Sequence, residues 1–167
     1  MKKVLICVAV LCLGCAPKKQ ASNKTPVAVK LESSCPENAD CSIEIFNNKK
    51  LSVKHDEFES YYYSLDDNLD TKVIKYSYSR KTKSGIQDAG YREEIVFEVG
   101  HTNDQVFTNE DLQKTKMLFG RFCYCKGQTG NYRVTSGKLA IENQQATLDF
   151  TVSEVPQIIT SIRFSIK

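Results

Sequence analysis

The sequence lacks several features that mark particular classes of protein. It has no tryptophan and only two histidines among its 167 residues. The absence of tryptophan weighs against a sugar-binding platform, because the indole ring offers a broad stacking surface. Two histidines leave few imidazole bases for catalysis. The Gly-x-Ser-x-Gly elbow, the glycine-rich phosphate loop and the His-Glu-x-x-His motif are also missing. We therefore expect a protein that is not an enzyme.

A strong charge of one sign and a long hydrophobic run are absent as well. Lys and Arg number 23 against 20 for Asp and Glu, and the net charge of +3 falls by two, to +1, without the N-terminal Lys2 and Lys3. This balance provides no general attraction for nucleic acid. The longest apolar run, residues 4–13, is shorter than the roughly 20 residues that cross a bilayer as a helix. That length excludes a polytopic membrane protein.

The N-terminal residues carry the most specific signal. Two lysines precede an apolar run over 4–13, which is the pattern of a secretory signal peptide. Residues 11–15 resemble the lipobox of bacterial lipoproteins, since the small Gly14 stands directly before Cys15. Cys12 departs from the aliphatic residue that is usual at the third position before the cleavage site. The resemblance implies that signal peptidase II cuts after Gly14 and that Cys15 becomes a lipid-modified N-terminus.

The same resemblance implies a location in the cell envelope, with attachment to the membrane through the N-terminal lipid. Several acyl chains, at about 0.8 kcal/mol per buried CH₂, anchor a protein firmly. In lipoproteins of two-membrane envelopes, Asp after the lipid-bearing Cys often marks retention in the inner membrane, and this chain has Ala16 there. We expect an outer-membrane address, on the periplasmic face or at the cell surface. A plain secretory signal and a buried N-terminal strand are the alternatives.

Residues 15–34 indicate a flexible tether. This segment has two prolines, few large apolar side chains and no helix or strand period, which is typical of a disordered linker. Fully extended, its residues reach at most roughly 60 Å, enough to hold a domain clear of the lipid headgroups. A short edge strand at 27–29 is the alternative. The chain is thus predicted to comprise a signal peptide over 1–14, the tether and a single domain over 35–167.

Four cysteines remain in the predicted domain: Cys35, Cys41, Cys123 and Cys125. An even number in an exported domain predicts two disulfides. In a strand, Cys123 and Cys125 would point to one face with parallel side chains, so we expect each to bond with Cys35 or Cys41 instead. A local Cys35–Cys41 bridge beside a strained or reduced second pair is the next possibility. A soft-metal site on the thiols is a third, although exported thiols tend to oxidise, and no metal or cofactor is predicted.

Alternating apolar and polar residues predict strands almost throughout from Ser42 onward. Eight to ten short strands imply an all-β domain, an antiparallel β-sandwich or a partly open barrel. Only 108–115 has the signals of a helix, with Thr108 before it and Glu110 and Asp111 in its first turn. The last third, from Tyr132, is predicted to be a meander of four antiparallel strands.

The first half of the predicted domain contains two candidate turns and one buried face. The polar segment 47–50 lies between pairs of alternating apolar residues and indicates a hairpin turn. Segment 64–70 has oxygen-bearing side chains at alternate positions but lacks the glycine and glutamate that an EF-hand requires, so it indicates a solvated turn. Tyr76 and Tyr78 are expected on the core face beside Ile74.

Two segments carry the side chains that we expect to contact a ligand. Three consecutive tyrosines cannot all point to one face of a strand, so at least one ring is expected to be exposed, where it adds apolar contact area at little entropic cost. The glycines Gly127 and Gly130 fit a tight turn after Cys125, and the other side chains from 126 to 129 are the second group. The expected binding residues are Tyr61, Tyr62, Tyr63, Lys126, Gln128 and Thr129. A partly buried strand and an ordinary hairpin tip are the structural alternatives.

Together these features favour a lipid-anchored envelope domain that acts as a non-catalytic binding or interaction module. The expected partner is a protein of the envelope or outside the cell, or an acidic glycan attracted by the basic segment 72–83. A structural accessory without a ligand of its own is the main alternative. A soft-metal-binding protein and a hydrolase are less favoured.

Overall fold

Alternation along the chain produces ten strands and one short 3₁₀ helix in the computed structural model, which describes residues 29–82, 89–102 and 104–166. The signal peptide, Cys15 and the tether up to residue 28 lie outside the described residues. The strands are β1 (Val29–Leu31), β2 (Ala39–His55), β3 (Tyr61–Arg80), β4 (Tyr91–Gly100), β5 (Gln105–Thr108), β6 (Leu118–Cys123), β7 (Gly130–Arg133), β8 (Ser136–Glu142), β9 (Gln145–Thr151) and β10 (Ser161–Ile166). The all-β prediction is confirmed.

The strands form two antiparallel sheets. One has the order β1-β10-β9-β8-β5 and the other β2-β3-β4-β6-β7. In the second sheet β7 also pairs with β3, where Asn131 lies opposite Tyr61. This pairing closes β3, β4, β6 and β7 into a small four-stranded barrel, so the domain combines a two-sheet packing with a barrel.

The larger hydrophobic core contains residues from both sheets. Ile74, Tyr76 and Tyr78 of β3 are buried in it, as their alternation predicts. The rings of Phe119 on β6 and Phe150 on β9 lie 6.0 Å apart between centroids. Burial of such apolar side chains is the main force that holds the two sheets together.

A second, smaller core occupies the other face of the barrel sheet. It consists of Leu51, Val73, Val96 and Leu118, with Tyr61 and Tyr63 among the half-buried side chains packed on it. Successive residues of a strand point to opposite faces, and β6 accordingly buries Leu118 in this core and Phe119 in the larger one. Strand β6 is therefore a central strand that is covered on both faces.

The predicted turns in the first half are wrong. At 47–50 the strand β2 continues through a bulge between Asn47 and Lys49, and Asn48 adopts the left-handed conformation (φ 57°) that asparagine tolerates. Segment 64–70 belongs to β3 and pairs with β2, where Leu65 lies opposite Leu51. The chain turns instead at 56–60, where the Asp56 carboxylate accepts the backbone N–H groups of Phe58 and Ser60.

The folded domain begins earlier than predicted. Val29–Leu31, placed in the tether by the sequence, form β1 and pair with β10, where Leu31 lies opposite Phe164. The backbone N–H groups of Glu32 and Ser33 both donate to the Arg163 carbonyl. A three-residue edge strand is too short to display a period, which is why the sequence placed the boundary at 34.

The helix and most of the C-terminal meander follow the prediction. The 3₁₀ helix covers Asn109–Thr115, with Thr108 extended before it and Glu110 and Asp111 in its first turn. Strands β8, β9 and β10 form a meander, but β7 belongs to the other sheet, so the fourth predicted member is wrong. In the described part of the chain, no helix has the length and apolar character needed to cross a membrane.

Candidate functional site

The disulfides join neighbours in the sequence. Cys35 bonds to Cys41 and Cys123 bonds to Cys125, with Cα atoms 5.7 and 5.1 Å apart. The prediction of two disulfides is confirmed, and the crossed pairing is wrong. Cys41 lies on β2 and Cys123 on β6, with β3 and β4 between them. Three strand spacings amount to roughly 14 Å along the sheet, beyond the roughly 7 Å that a disulfide spans between Cα atoms.

The bond between Cys123 and Cys125 forms because the strand ends between them. Strand β6 stops at Cys123, the chain bends at Tyr124, and the N–H of Gln128 donates to the Cys125 carbonyl at 3.0 Å. The two side chains therefore do not share a strand face, contrary to the premise of the sequence argument. Residues 124–129, called the 124–129 loop below, are exposed except for Cys125, which is half-buried.

Arg121 holds the 124–129 loop against the barrel. Its Nη1 donates to the backbone carbonyl of Gln128 at 3.2 Å and to the side-chain Oε1 of the same residue at 2.7 Å. The hydroxyl of Thr129 donates to the Arg121 carbonyl at 3.1 Å. Gln128 and Thr129, two of the expected ligand contacts, thus support the loop itself, whereas Lys126 extends from it as an exposed side chain.

A buried polar network continues from Arg121 into the domain. Arg121 is only 7% exposed, and its Nε donates to the Tyr91 hydroxyl at 3.2 Å. That hydroxyl donates to Glu93, which is 1% exposed and also accepts the backbone N–H groups of Ile158 and Ile159. Burial, and then the hydrogen bond to Glu93, raise the pKa of Tyr91. These hydrogen bonds connect the 124–129 loop, through side chains of β6 and β4, to the segment before β10.

One groove brings together the two segments that the sequence treated separately. Its volume is about 500 Å³, and we call it the barrel-end groove. Tyr61 lines it beside Gly127 and Thr129, and Arg133 and Glu154 add opposite charges. Its residues are Glu59, Ser60, Tyr61, Gly127, Thr129, Gly130, Asn131, Tyr132, Arg133 and Glu154. Tyr61 thus shares a surface with the loop.

Tyr62 and Tyr63 lie in different surroundings from Tyr61. Tyr62 is 48% exposed, which confirms that at least one of the three rings lies in solvent. Tyr63 is half-buried on the second core, and burial, followed by the nearby Glu94 carboxylate, raises its pKa. Neither residue is among those that line the barrel-end groove.

The most exposed aromatic side chain of the described residues was not among the expected contacts. Tyr124, between the two bonded cysteines, is 85% exposed. It borders a hollow of about 450 Å³ formed by the loop, called the loop hollow, and a second of about 600 Å³ beside β4, called the β4 hollow. Phe58, at the turn before β3, is 79% exposed. The sequence signal for Tyr124 is its position between two cysteines, which fixes the backbone on both sides.

The histidines lie in separate surroundings. His55 Nδ1 is 3.8 Å from the Glu59 carboxylate at the exposed β2–β3 turn, and His101 Nε2 is 3.0 Å from the Leu69 carbonyl. Asp56, next to His55, uses one carboxylate oxygen to accept two backbone N–H groups of its own turn. Within the described ranges, no group of three or more His, Cys, Asp or Glu side chains is placed to hold a metal ion.

Two of the four basic residues described in segment 72–83 form ion pairs with carboxylates. Lys75 pairs with Glu44 at 2.9 Å and Lys81 pairs with Asp40 at 3.2 Å, both partners on β2. Arg80 lies over the Tyr91 ring, 4.8 Å from its centroid. The two ion pairs reduce the positive charge available to an acidic glycan, whereas the contact of Arg80 with a neutral ring leaves its charge in place.

Comparisons with protein-family models, with characterised proteins and with solved structures found no match to this chain.

Proposed function

We propose that this protein is a lipid-anchored domain of the cell envelope that binds a partner protein through the end of its barrel. The observation that carries the proposal is Tyr124, a ring 85% exposed on a loop closed by a disulfide and held by Arg121. A large apolar side chain kept in water on a rigid support loses little entropy when a partner covers it. The loop hollow and the β4 hollow on either side of it offer space for partner side chains.

The charges around this surface favour a protein over an acidic glycan. Lys126 lies in the loop hollow, and Arg133 lies with Glu59 and Glu154 in the barrel-end groove. A polyanion requires a surface of one positive sign, whereas mixed charges around exposed aromatic rings are typical of protein interfaces. The ion pairs of Lys75 and Lys81 further weaken the case for a glycan.

Attachment through Cys15 fits the position of the domain. Thirteen residues, 16–28, lie in the sequence between Cys15 and β1, which begins at Val29, and a fully extended segment of that length spans at most about 45 Å. The anchor is tested by Cys15→Ser in cells grown with an alkyne-labelled fatty acid. We expect the label and sedimentation with membranes to be lost together. Persistent labelling of the variant would show that the lipid is attached elsewhere.

The binding surface is tested by photo-cross-linking in cells that express the full chain. A benzophenone amino acid replaces Tyr124 in one variant and Leu69 in another, because Leu69 is also exposed (77%) but borders neither the loop hollow, the β4 hollow nor the barrel-end groove. We expect one discrete protein adduct at position 124 and none at position 69. Equal adducts at both positions, or adducts sensitive to glycosidase rather than protease, would contradict the proposal.

A further inference from the structure

The two disulfides lie in different surroundings. All four cysteines are half-buried, but Cys35 and Cys41 pack on the larger core. Cys123 and Cys125 line the loop hollow, and Cys123 also lines the β4 hollow. Thiol–disulfide exchange requires an incoming sulfur to reach one sulfur of the bond. Open space beside the Cys123–Cys125 bond provides that access.

Hydrogen bonds, and not only the Cys123–Cys125 bond, hold the 124–129 loop in place. The bond encloses a single residue, Tyr124, and such a short closure restricts the unfolded chain less than a longer one does. Arg121 already fixes the loop through Gln128 and Thr129, and the turn after Cys125 has its own backbone hydrogen bond. Because this bond contributes little to stability, the domain can stay folded when thiol–disulfide exchange breaks it.

The loop hollow also contains a positive charge, which favours the thiolate form of a cysteine. Lys126 follows Cys125 directly and lines the same hollow. A neighbouring cation stabilises a thiolate, the form in which a cysteine leaves and attacks during exchange.

We propose that Cys123–Cys125 is a thiol–disulfide exchange site that accepts electrons from the paired thiols of an exported protein or peptide. A substrate thiolate attacks Sγ of one cysteine, the Cys123–Cys125 bond breaks, and the other cysteine leaves as a thiolate. The second substrate thiolate then attacks the substrate sulfur of the mixed disulfide and releases the remaining cysteine. Two electrons pass from the substrate, which becomes a disulfide, to Cys123 and Cys125, which become thiols with the two protons from the substrate. A small-molecule or protein disulfide restores the bond.

This activity goes beyond the proposed binding function and does not depend on it, because a small dithiol suffices as substrate. The test mixes the oxidised full chain with an equimolar reduced peptide that contains two cysteines. The reaction is stopped with acid, free thiols are alkylated, and the modified residues are mapped by mass spectrometry. We expect one peptide disulfide per protein molecule, with alkylation at Cys123 and Cys125 and an intact Cys35–Cys41 bond.

Two double variants complete the test. C123S/C125S is expected to slow peptide oxidation at least tenfold, and C35S/C41S is expected to react at the rate of the unaltered chain. If loss of the Cys35–Cys41 bond unfolds the domain, the alkylated cysteines mapped on the unaltered chain still show which disulfide reacts. Reduction of Cys35–Cys41 first, equal reduction of both bonds, or an unchanged rate in C123S/C125S would overturn the proposal. None of these outcomes bears on the cross-linking at position 124, so the two proposals fail separately.

Discussion

Asn131 lies opposite Tyr61, and its Nδ2 donates to the Tyr61 carbonyl at 2.9 Å. This contact links β7 to β3 across 70 residues of sequence and closes the barrel. A Cβ at Gly120 on the neighbouring strand would come within 2.9 Å of Asn131 Oδ1 and 2.7 Å of the Phe122 ring, so a larger residue there would displace these side chains. Barrel closure is what places Tyr61 beside the 124–129 loop.

Removal of the closing side chain is expected to loosen this end of the domain. Asn131→Ala leaves the Tyr61 carbonyl without its side-chain donor, and we expect the free energy of unfolding to fall by about 1 kcal/mol. Urea denaturation followed by circular dichroism measures the change. Gln145→Ala, an exposed position on β9, is the control and is expected to stay within about 0.5 kcal/mol. Equal effects of both substitutions would mean that the contact contributes nothing specific.

The buried Glu93 network leads to a second prediction. Both carboxylate oxygens of Glu93 accept hydrogen bonds, from the N–H groups of Ile158 and Ile159 and from the Tyr91 hydroxyl. Glu93→Gln replaces one acceptor with an NH₂ group that faces another donor, and we expect a loss of about 2 kcal/mol of stability.

The matched control for this prediction is Glu44→Gln. Glu44 pairs with Lys75 near the surface, and such a pair is worth at most about 1 kcal/mol. Thermal unfolding of both variants compares the two costs. A larger loss for Glu44→Gln than for Glu93→Gln would contradict the role assigned to the network.

From the burial of Tyr76 we predict that the domain loses stability at alkaline pH. Burial raises the pKa of Tyr76 to about 12, above its ordinary value of 10.0. Above pH 10 the unfolded chain releases the hydroxyl proton of Tyr76, whereas the folded domain keeps it up to about pH 12. The contribution of this hydroxyl to the free energy of unfolding is therefore complete below pH 10, and about 2 kcal/mol of it is lost as the pH rises towards 12. Urea denaturation between pH 9 and 12 measures the fall.

Tyr76→Phe removes the ionisable hydroxyl and is expected to reduce that fall. Tyr62→Phe is the control, since the Tyr62 ring is exposed in the folded state, and it is expected to leave the pH dependence unchanged. The burial argument fails if the two variants behave alike.

Local patterns in the sequence predict much of the fold because each depends on neighbouring residues. The alternation of Ile74, Tyr76 and Tyr78 predicts the core face of β3, and Thr108 with two acidic residues predicts the 3₁₀ helix. The error at 47–50 has a local cause as well, since a bulge with a left-handed asparagine uses the same polar residues as a turn.

The parts that the sequence does not predict depend on which strands become neighbours. The cysteine pairing follows from β3 and β4 lying between Cys41 and Cys123. The barrel-end groove follows from the single pairing of Tyr61 with Asn131. Periodicity does not determine strand order, so the shared surface of Tyr61 and the 124–129 loop is visible only in the structure.

The central claim, that the barrel end binds a protein through Tyr124, is tested most directly by an affinity measurement. The partner captured at position 124 is purified and titrated by calorimetry with the unaltered chain, Tyr124→Ala and Leu69→Ala. Truncation of a central aromatic contact costs about 2 kcal/mol or more, so we expect Tyr124→Ala to bind roughly thirtyfold more weakly and Leu69→Ala to bind as the unaltered chain does. Equal affinities of the three proteins would contradict the account.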